Sequence, residues 1–155
     1  MGPPPFQRFL DEHREPVLRF LVASVGRQEA DDCFQETFLA ALRAYPRLPA
    51  DANRRAWVLT IAHRKAIDSH RARRRRPDPV EGLEEHLSEP PRPESDPALW
   101  QAVRALPSKQ RAAVVLRFVA DLKHAEAAEV IGCSEEAARR NLHAGLTKLR
   151  KEWTA

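Results

Sequence analysis

Six histidines, at positions 13, 63, 70, 86, 124 and 143, and two cysteines, Cys33 and Cys133, are the residues of this chain best suited to catalysis or metal binding. Their spacing supports neither role. No histidine sits in an HExxH pair or beside a nucleophile motif, and the chain has no P-loop and no GxGxxG turn. The cysteines lie far apart and outside any CxxC, so neither a metal site nor a disulfide framework is expected. They read as small buried or half-buried apolar residues. The expectation is a protein that is not an enzyme and needs no cofactor or metal.

The other chemistry on offer is recognition by charge and hydrogen bonding. Ser134 closes a Gly-Cys-Ser turn, and with Glu135, Glu136, Arg139, Arg140 and His143 it falls on the exposed side of one helix. Arginine can read guanine through two hydrogen bonds, and glutamate can accept one from cytosine. Lys148, Arg150 and Lys151 lie further along and suit phosphate. A second basic run, RKAIDSHRARRRR, ends at Arg76 and carries Arg71, Arg73 and Arg74. Cations there suit a DNA backbone, or equally a solvated basic tail. A third constellation is polar: Asp31-Asp32-Cys33-Phe34-Gln35-Glu36-Thr37-Phe38. Gln35 and Glu36 fall between two inward-facing aromatics, so they should point outward and offer a protein-binding face.

These residues need helices to hold them. Gly is scarce and the composition favours helix, so the expected class is all-α. Residues 77–97 hold 6 of the 13 prolines and read as an acidic linker between two small helical domains, 1–76 and 98–155. The first domain should hold three helices. One covers about residues 5–25, with Pro16 expected to kink or split it. The next runs from about 29 to 44, with Asp31 and Asp32 in its first turn and Phe34, Phe38, Leu39 and Leu42 as its apolar stripe. The last runs from about 52 to 75, turns Trp57, Val58, Ile61, Ala62 and Ile67 inward, and stops at Pro77. The second domain should hold four: 98–106, a helix capped by Ser108 and running to about 120, 123–131, and one capped by Ser134 running to about 153. Gly132 is placed to end the third of these in the left-handed conformation. The last pair has helix-turn-helix spacing.

Charge sharpens this division. Residues 1–76 carry 15 Lys and Arg against 9 Asp and Glu, residues 77–97 carry 1 against 7, and residues 98–155 carry 10 against 6. Two basic blocks therefore flank an acidic segment, a pattern suited to a polyanionic partner. The acidic segment is a solvated linker, a DNA-repelling spacer or a cover for a basic face. No apolar run is long enough for a membrane span, and the N-terminus lacks the apolar region of a signal peptide. A cytoplasmic protein without membrane contact is the expectation.

Taken together, the motifs resemble bacterial sigma factors of the extracytoplasmic-function (ECF) type. The DD-x-x-QETF stretch resembles the family's core-polymerase-binding helix. That resemblance implies that Asp31, Asp32, Gln35 and Glu36 meet the clamp helices of the largest subunit of RNA polymerase. RAWVLTIAHRKAIDSHRARRRR (55–76) resembles the downstream-promoter segment, which implies DNA contacts from Arg54, Arg55, His63, Arg64, Lys65, Arg71, Arg73 and Arg74. The preceding loop, about 47–54, matches the position where the family captures a flipped base. Residues 106–150 resemble the upstream-promoter domain, which implies contacts from Ser134, Glu135, Glu136, Arg139, Arg140, His143 and Lys148. Where that helix usually begins Gly-Thr-Val-Lys-Ser-Arg, this chain has Glu136, Ala137, Ala138, Arg139, Arg140 and Asn141. The family also implies promoter DNA as a partner, an anti-sigma factor as a possible one, and no catalytic activity. The competing readings are a helix-turn-helix regulator that does not bind polymerase, and an interaction protein that sequesters an anti-sigma factor.

Overall fold

The computed structural model describes residues 4–75 and 96–154. The expected linker lies outside the described residues from position 77 to 95, as do Arg76 and the stop at Pro77. Every regular element among the described residues is helical. None of these helices is long and apolar enough to cross a membrane.

The first three helices pack on one another. α1 runs Phe6–Val25, α2 runs Arg27–Ala44, a short 3-10 turn spans Tyr45–Arg47, and α3 runs Arg54–Arg75. Gly26 separates α1 from α2 at φ 86°, and its N–H closes α1 on the carbonyl of Val22. Pro16 does not split α1, which continues unbroken through it. The ring takes one donor from the ladder, while Val17, Phe20 and Leu21 immediately after it are fully buried and hold the helix in register. An aromatic cluster anchors this end of the molecule. Phe9 meets Tyr45 at 5.1 Å, Trp57 at 5.7 Å and Phe38 at 6.3 Å between ring centroids. The Tyr45 hydroxyl donates to the carbonyl of Pro4. Trp57 is thus a packing residue, half-buried against α1.

α2 departs from the sequence expectation in two ways. It begins at Arg27, so Glu29 occupies its first turn and Asp31 and Asp32 fall in the second. Its buried stripe is Ala30, Cys33, Thr37, Phe38 and Ala41. Leu39 and Leu42 are outside it, 53% and 50% exposed. Small residues let α2 approach α1 and α3 closely. Thr37 can be fully buried among them because its hydroxyl donates to the carbonyl of Cys33 at 2.6 Å.

The remaining helices are α4 (Pro97–Ala105), α5 (Ser108–Phe118), α6 (His124–Ile131) and α7 (Glu135–Thr154). Asp96 caps α4, accepting from the Ala98 N–H at 2.9 Å, with Pro97 in the first helical position. Ser108 is not a cap. It is the first helical residue of α5, after Pro107, and no side chain caps that end. Arg111 is 6% exposed, and its Nη1 donates to the carbonyls of Arg104 and Leu106 at 2.9 and 3.1 Å. One buried guanidinium thereby satisfies carbonyls at the end of α4. Gly132 adopts φ 83°, ψ 39° and closes α6 as expected. At Gly145 an added Cβ would lie 2.9 Å from Val114 Cγ2 and 3.4 Å from the Gln110 carbonyl. Glycine there lets α7 pack tightly on α5.

The two sets of helices do not stand apart. α3 packs against α6, and α1 packs against both α4 and α5. Phe9, Phe20, Leu59, Val103, Leu116 and Val130 belong to one continuous apolar core.

Candidate nucleic-acid and protein interfaces

Close packing of α2 through its small residues leaves the opposite side of the helix open. Asp31, Asp32, Gln35 and Glu36 are all exposed there. Leu39 and Leu42 continue the same face toward the C-terminus, at the three- and four-residue steps 32, 35, 39, 42 that align side chains along a helix. Sequence reasoning had assigned both leucines to the core. The signal that separates them is the run of small residues at 30, 33, 37 and 41, which marks the closest helix contact. Two exposed leucines beside carboxylates and an amide make a surface of mixed character, suited to a protein partner.

α3 is capped by Asn53, whose Oδ1 accepts from the Ala56 N–H at 3.1 Å. Beyond this cap, the expected DNA-contacting residues divide. Arg64, Arg71, Arg73 and Arg74 are exposed. Arg54, Arg55 and Lys65 are half-buried. Arg54 donates through Nη2 to the Ala50 carbonyl at 3.3 Å, while the Nε atoms of Arg54 and Arg55 are covered and make no hydrogen bond. His63 is buried, 7% exposed. Burial, then the nearby Arg111 and Arg64, push its pKa down to about 4, so the ring is neutral at pH 7. His70 lies two turns further along the same face, its Nε2 2.7 Å from the Ser24 carbonyl. Its pKa is also lowered, first by burial and then by Arg111.

The helix-turn-helix presents its whole expected set. Ser134, Glu135, Glu136, Arg139, Arg140, His143 and Lys148 are all exposed. Ser134 caps α7 through Oγ, which accepts from the Ala137 N–H at 3.1 Å. Ala138 and Gly145 are buried against the rest of the fold and aim the polar side outward. Arg139 is tied within the helix, donating to Glu135 at 2.9 Å. Asn141 is turned back onto the Ala137 carbonyl at 2.9 Å.

Sequence reasoning missed one residue that joins the two halves. Glu126, on α6, accepts from the Lys123 N–H through Oε1 at 3.2 Å and from Asn53 Nδ2 through Oε2 at 2.8 Å. The Asn53 hydrogen bond, then that from the Lys123 backbone, hold its pKa below the ordinary carboxylate value. The cysteines are as expected, Cys33 buried and Cys133 half-buried, both free. No group of three or more His, Cys, Asp or Glu residues is arranged to hold a metal ion among the described residues.

This arrangement, a three-helix unit with a polar outer face joined to a helix-turn-helix unit, defines a class that comparison with known proteins names. Residues 9–76 match the sigma-70 region 2 family and residues 97–149 match sigma-70, region 4. The chain is 35% identical over 161 aligned positions to the ECF RNA polymerase sigma factor SigD of Mycobacterium tuberculosis, covering 94% of this chain and 76% of that one. It is 34% identical over 132 positions to a probable RNA polymerase sigma-C factor of Mycobacterium bovis, covering 82% and 71%. In fold it is similar to the sigma factor RpoE of Bartonella quintana, solved in complex with the anti-sigma factor NepR. The TM-score there is 0.78, at 18% identity over 97% of both chains. The chain belongs to the ECF RNA polymerase sigma factors of the sigma-70 family.

Proposed function

We propose that the protein binds core RNA polymerase and directs it to a promoter. The observation that carries this reading is the pairing of two exposed, chemically different surfaces on one chain. Asp31, Asp32, Gln35 and Glu36, extended by Leu39 and Leu42, face outward on α2, and the Ser134–Lys148 set faces outward on α7. The first surface docks on the clamp helices of the largest polymerase subunit. The second enters the major groove at the upstream element, with the start of α7 nearest the base edges. The third helix and the loop before it hold the downstream element, including an unstacked base of the opened strand.

In this reading residues 1–76 and 98–155 act as separate binding units, and residues 77–97 set the reach between them. The step needs no catalytic residue and no nucleotide hydrolysis, because unstacking, at a few kcal/mol per base, is offset by contacts to the opened strand. The protein works in the cytoplasm, and an anti-sigma factor is its expected regulator, by analogy with the complex of RpoE and NepR. Pull-down of core enzyme tests the docking face. Gln35→Ala with Glu36→Ala should abolish association, and an unchanged pull-down would refute it. In vitro transcription with core enzyme on genomic fragments, with mapping of start sites, then supplies the promoter.

A further inference from the structure

The proposed function puts the start of α7 in a groove walled by phosphate, yet that start is acidic. Glu135 and Glu136 stand side by side in the first turn, just after the Ser134 cap. Acids there suit the positive end of the helix dipole. Beside DNA they oppose binding, because phosphates repel them and most base edges present acceptors. Such a charge is tolerated in the groove only where a donor answers it.

The two carboxylates differ in this respect. Glu135 is answered within the protein, since its Oε1 accepts from Arg139 Nη2 at 2.9 Å. The side chain of Glu136 has no hydrogen bond or ion pair among the described residues, and neither has that of Arg140 one turn further along. They also differ in direction. Ala138 and Gly145 are buried and mark the inner side of α7. Glu136, Arg140 and His143 follow one another at helical steps on the side opposite, and all three are exposed. Glu135 and Arg139 lie at the flank of that ridge.

Resting on the proposed function, we propose that Glu136 and Arg140 form a paired base reader, the carboxylate selecting cytosine and the guanidinium selecting guanine. The Glu135–Arg139 pair stays closed and carries no sequence information. A carboxylate has only acceptors, so its base must donate. Cytosine N4 and adenine N6 are the donors that the major groove offers. Adenine sets its N7 acceptor beside N6, and guanine and thymine present acceptors of their own, so the charge rejects all three and admits cytosine. Arg140 finds O6 and N7 of guanine. Four residues of helix span about 6 Å, less than two base-pair steps of roughly 3.4 Å each. The two bases therefore belong to one C·G pair or to pairs at most two steps apart.

The test reads sequence preference. The full-length chain and core polymerase initiate on a promoter fragment whose start site has been mapped and whose upstream element is randomised, and the transcribed templates are sequenced. The wild-type chain should select cytosine over adenine at one position by at least about fivefold. Glu136→Gln replaces an acceptor-only group with an amide that pairs bidentately with adenine N6 and N7, so that position alone should change from cytosine to adenine. Arg140→Ala should relax a guanine position within two steps of it and keep the cytosine. Both side chains are exposed, so neither change should disturb folding. Initiation without a selected cytosine, or a cytosine preference unchanged in Glu136→Gln, overturns the assignment while leaving the function in place. An equal loss of initiation on every template in Glu136→Gln would make the carboxylate purely structural and overturn it too. Absence of polymerase-dependent initiation by the wild-type chain on any genomic fragment removes the functional reading itself, and the assignment with it.

Discussion

His63 shows how burial decides what a residue does. Its imidazole is held neutral with a pKa of about 4, against an ordinary value near 6.5. Below about pH 6.5 the unfolded chain takes up a proton that the folded chain refuses. Stability is therefore complete above that pH and falls as the pH drops toward 4. Between pH 6.5 and 5.5 His63 alone should cost on the order of 1 kcal/mol. The lowered His13 and His70 act in the same direction. The groups that face His63 are Arg111, from α5, and Arg64 on its own helix, both cationic, so no carboxylate offsets the proton. Urea midpoints at pH 7.5 and 5.5 should show the loss, and His63→Leu should make the dependence shallower. A His63→Leu chain with the wild-type pH dependence would contradict it. The sequence offers His63 as an expected DNA contact and not as a buried residue, and Arg111, which lies near it, comes from the far half of the chain.

At the scale of the element, the sequence carried most of the helices and their ends where the signal is local. Ser134 and Gly132 do what their types suggest, one capping α7 and the other closing α6 in the left-handed conformation. Asp96 caps α4 instead of being the last acidic residue of a linker, and Ser108 was overridden by Pro107, which starts α5 without a side-chain cap. Of the expected stripe of α2, Phe38 is buried and Phe34 packs half-buried against the core, whereas Leu39 and Leu42 are exposed, because size decides over hydrophobicity at a close helix contact. Leu39 and Leu42 are the larger apolar residues, but Ala30, Cys33, Thr37 and Ala41 are the ones that allow close helix contact. Gly145 belongs to the same logic. Alanine is ordinarily the better helix former by about 1 kcal/mol. Here its methyl would press on Val114 at 2.9 Å and on the Gln110 carbonyl at 3.4 Å. Gly145→Ala should destabilise the fold by about 1–3 kcal/mol, and Val114→Ala in the same chain should recover part of it, as read by thermal melts. An unchanged melting temperature in Gly145→Ala would show that α5 and α7 can separate at little cost. On the outer side of α7, Arg139 is engaged with Glu135, while Arg140 makes no comparable pair among the described residues. Arg139→Ala with Arg140→Ala should weaken promoter binding and flatten its dependence on salt, by up to about 0.9 per lost phosphate contact on a log-log plot. Most of the change should come from Arg140. An unaltered slope in the double variant would count against groove docking.

For the whole molecule, the division into two basic blocks was visible in the sequence, and the two family matches fall on either side of the acidic segment. The sequence did not reveal that the halves share a core. Local periodicity identifies a buried face but not its partner, and the contacts of α3 with α6 join residues more than 50 positions apart, as Asn53 and Glu126 illustrate. The all-α class and the helix-turn-helix followed from short-range pattern, whereas the contact between the halves follows from packing that only the assembled chain can express. The docking surface proposed for α2, with its two exposed leucines, should behave accordingly. Leu39→Ser with Leu42→Ser should weaken core-polymerase association while leaving the melting temperature within about 2 °C of wild type, since both side chains are already half in solvent. A large fall in melting temperature would return them to the core.

The guanidinium of Arg111 has a consequence for how this chain is dissected. It closes the end of α4 within its own half and also faces two histidines of the other. A truncated piece beginning near residue 96 would keep the first task and lose the second. It would also shed the neighbours of Val115, Leu116 and Val130 in the shared core. Cooperativity follows: the intact chain should melt as one unit, and each isolated half should be less stable than its share of that transition suggests. Fragments cut at the acidic segment would then report on surfaces that the intact protein keeps from water.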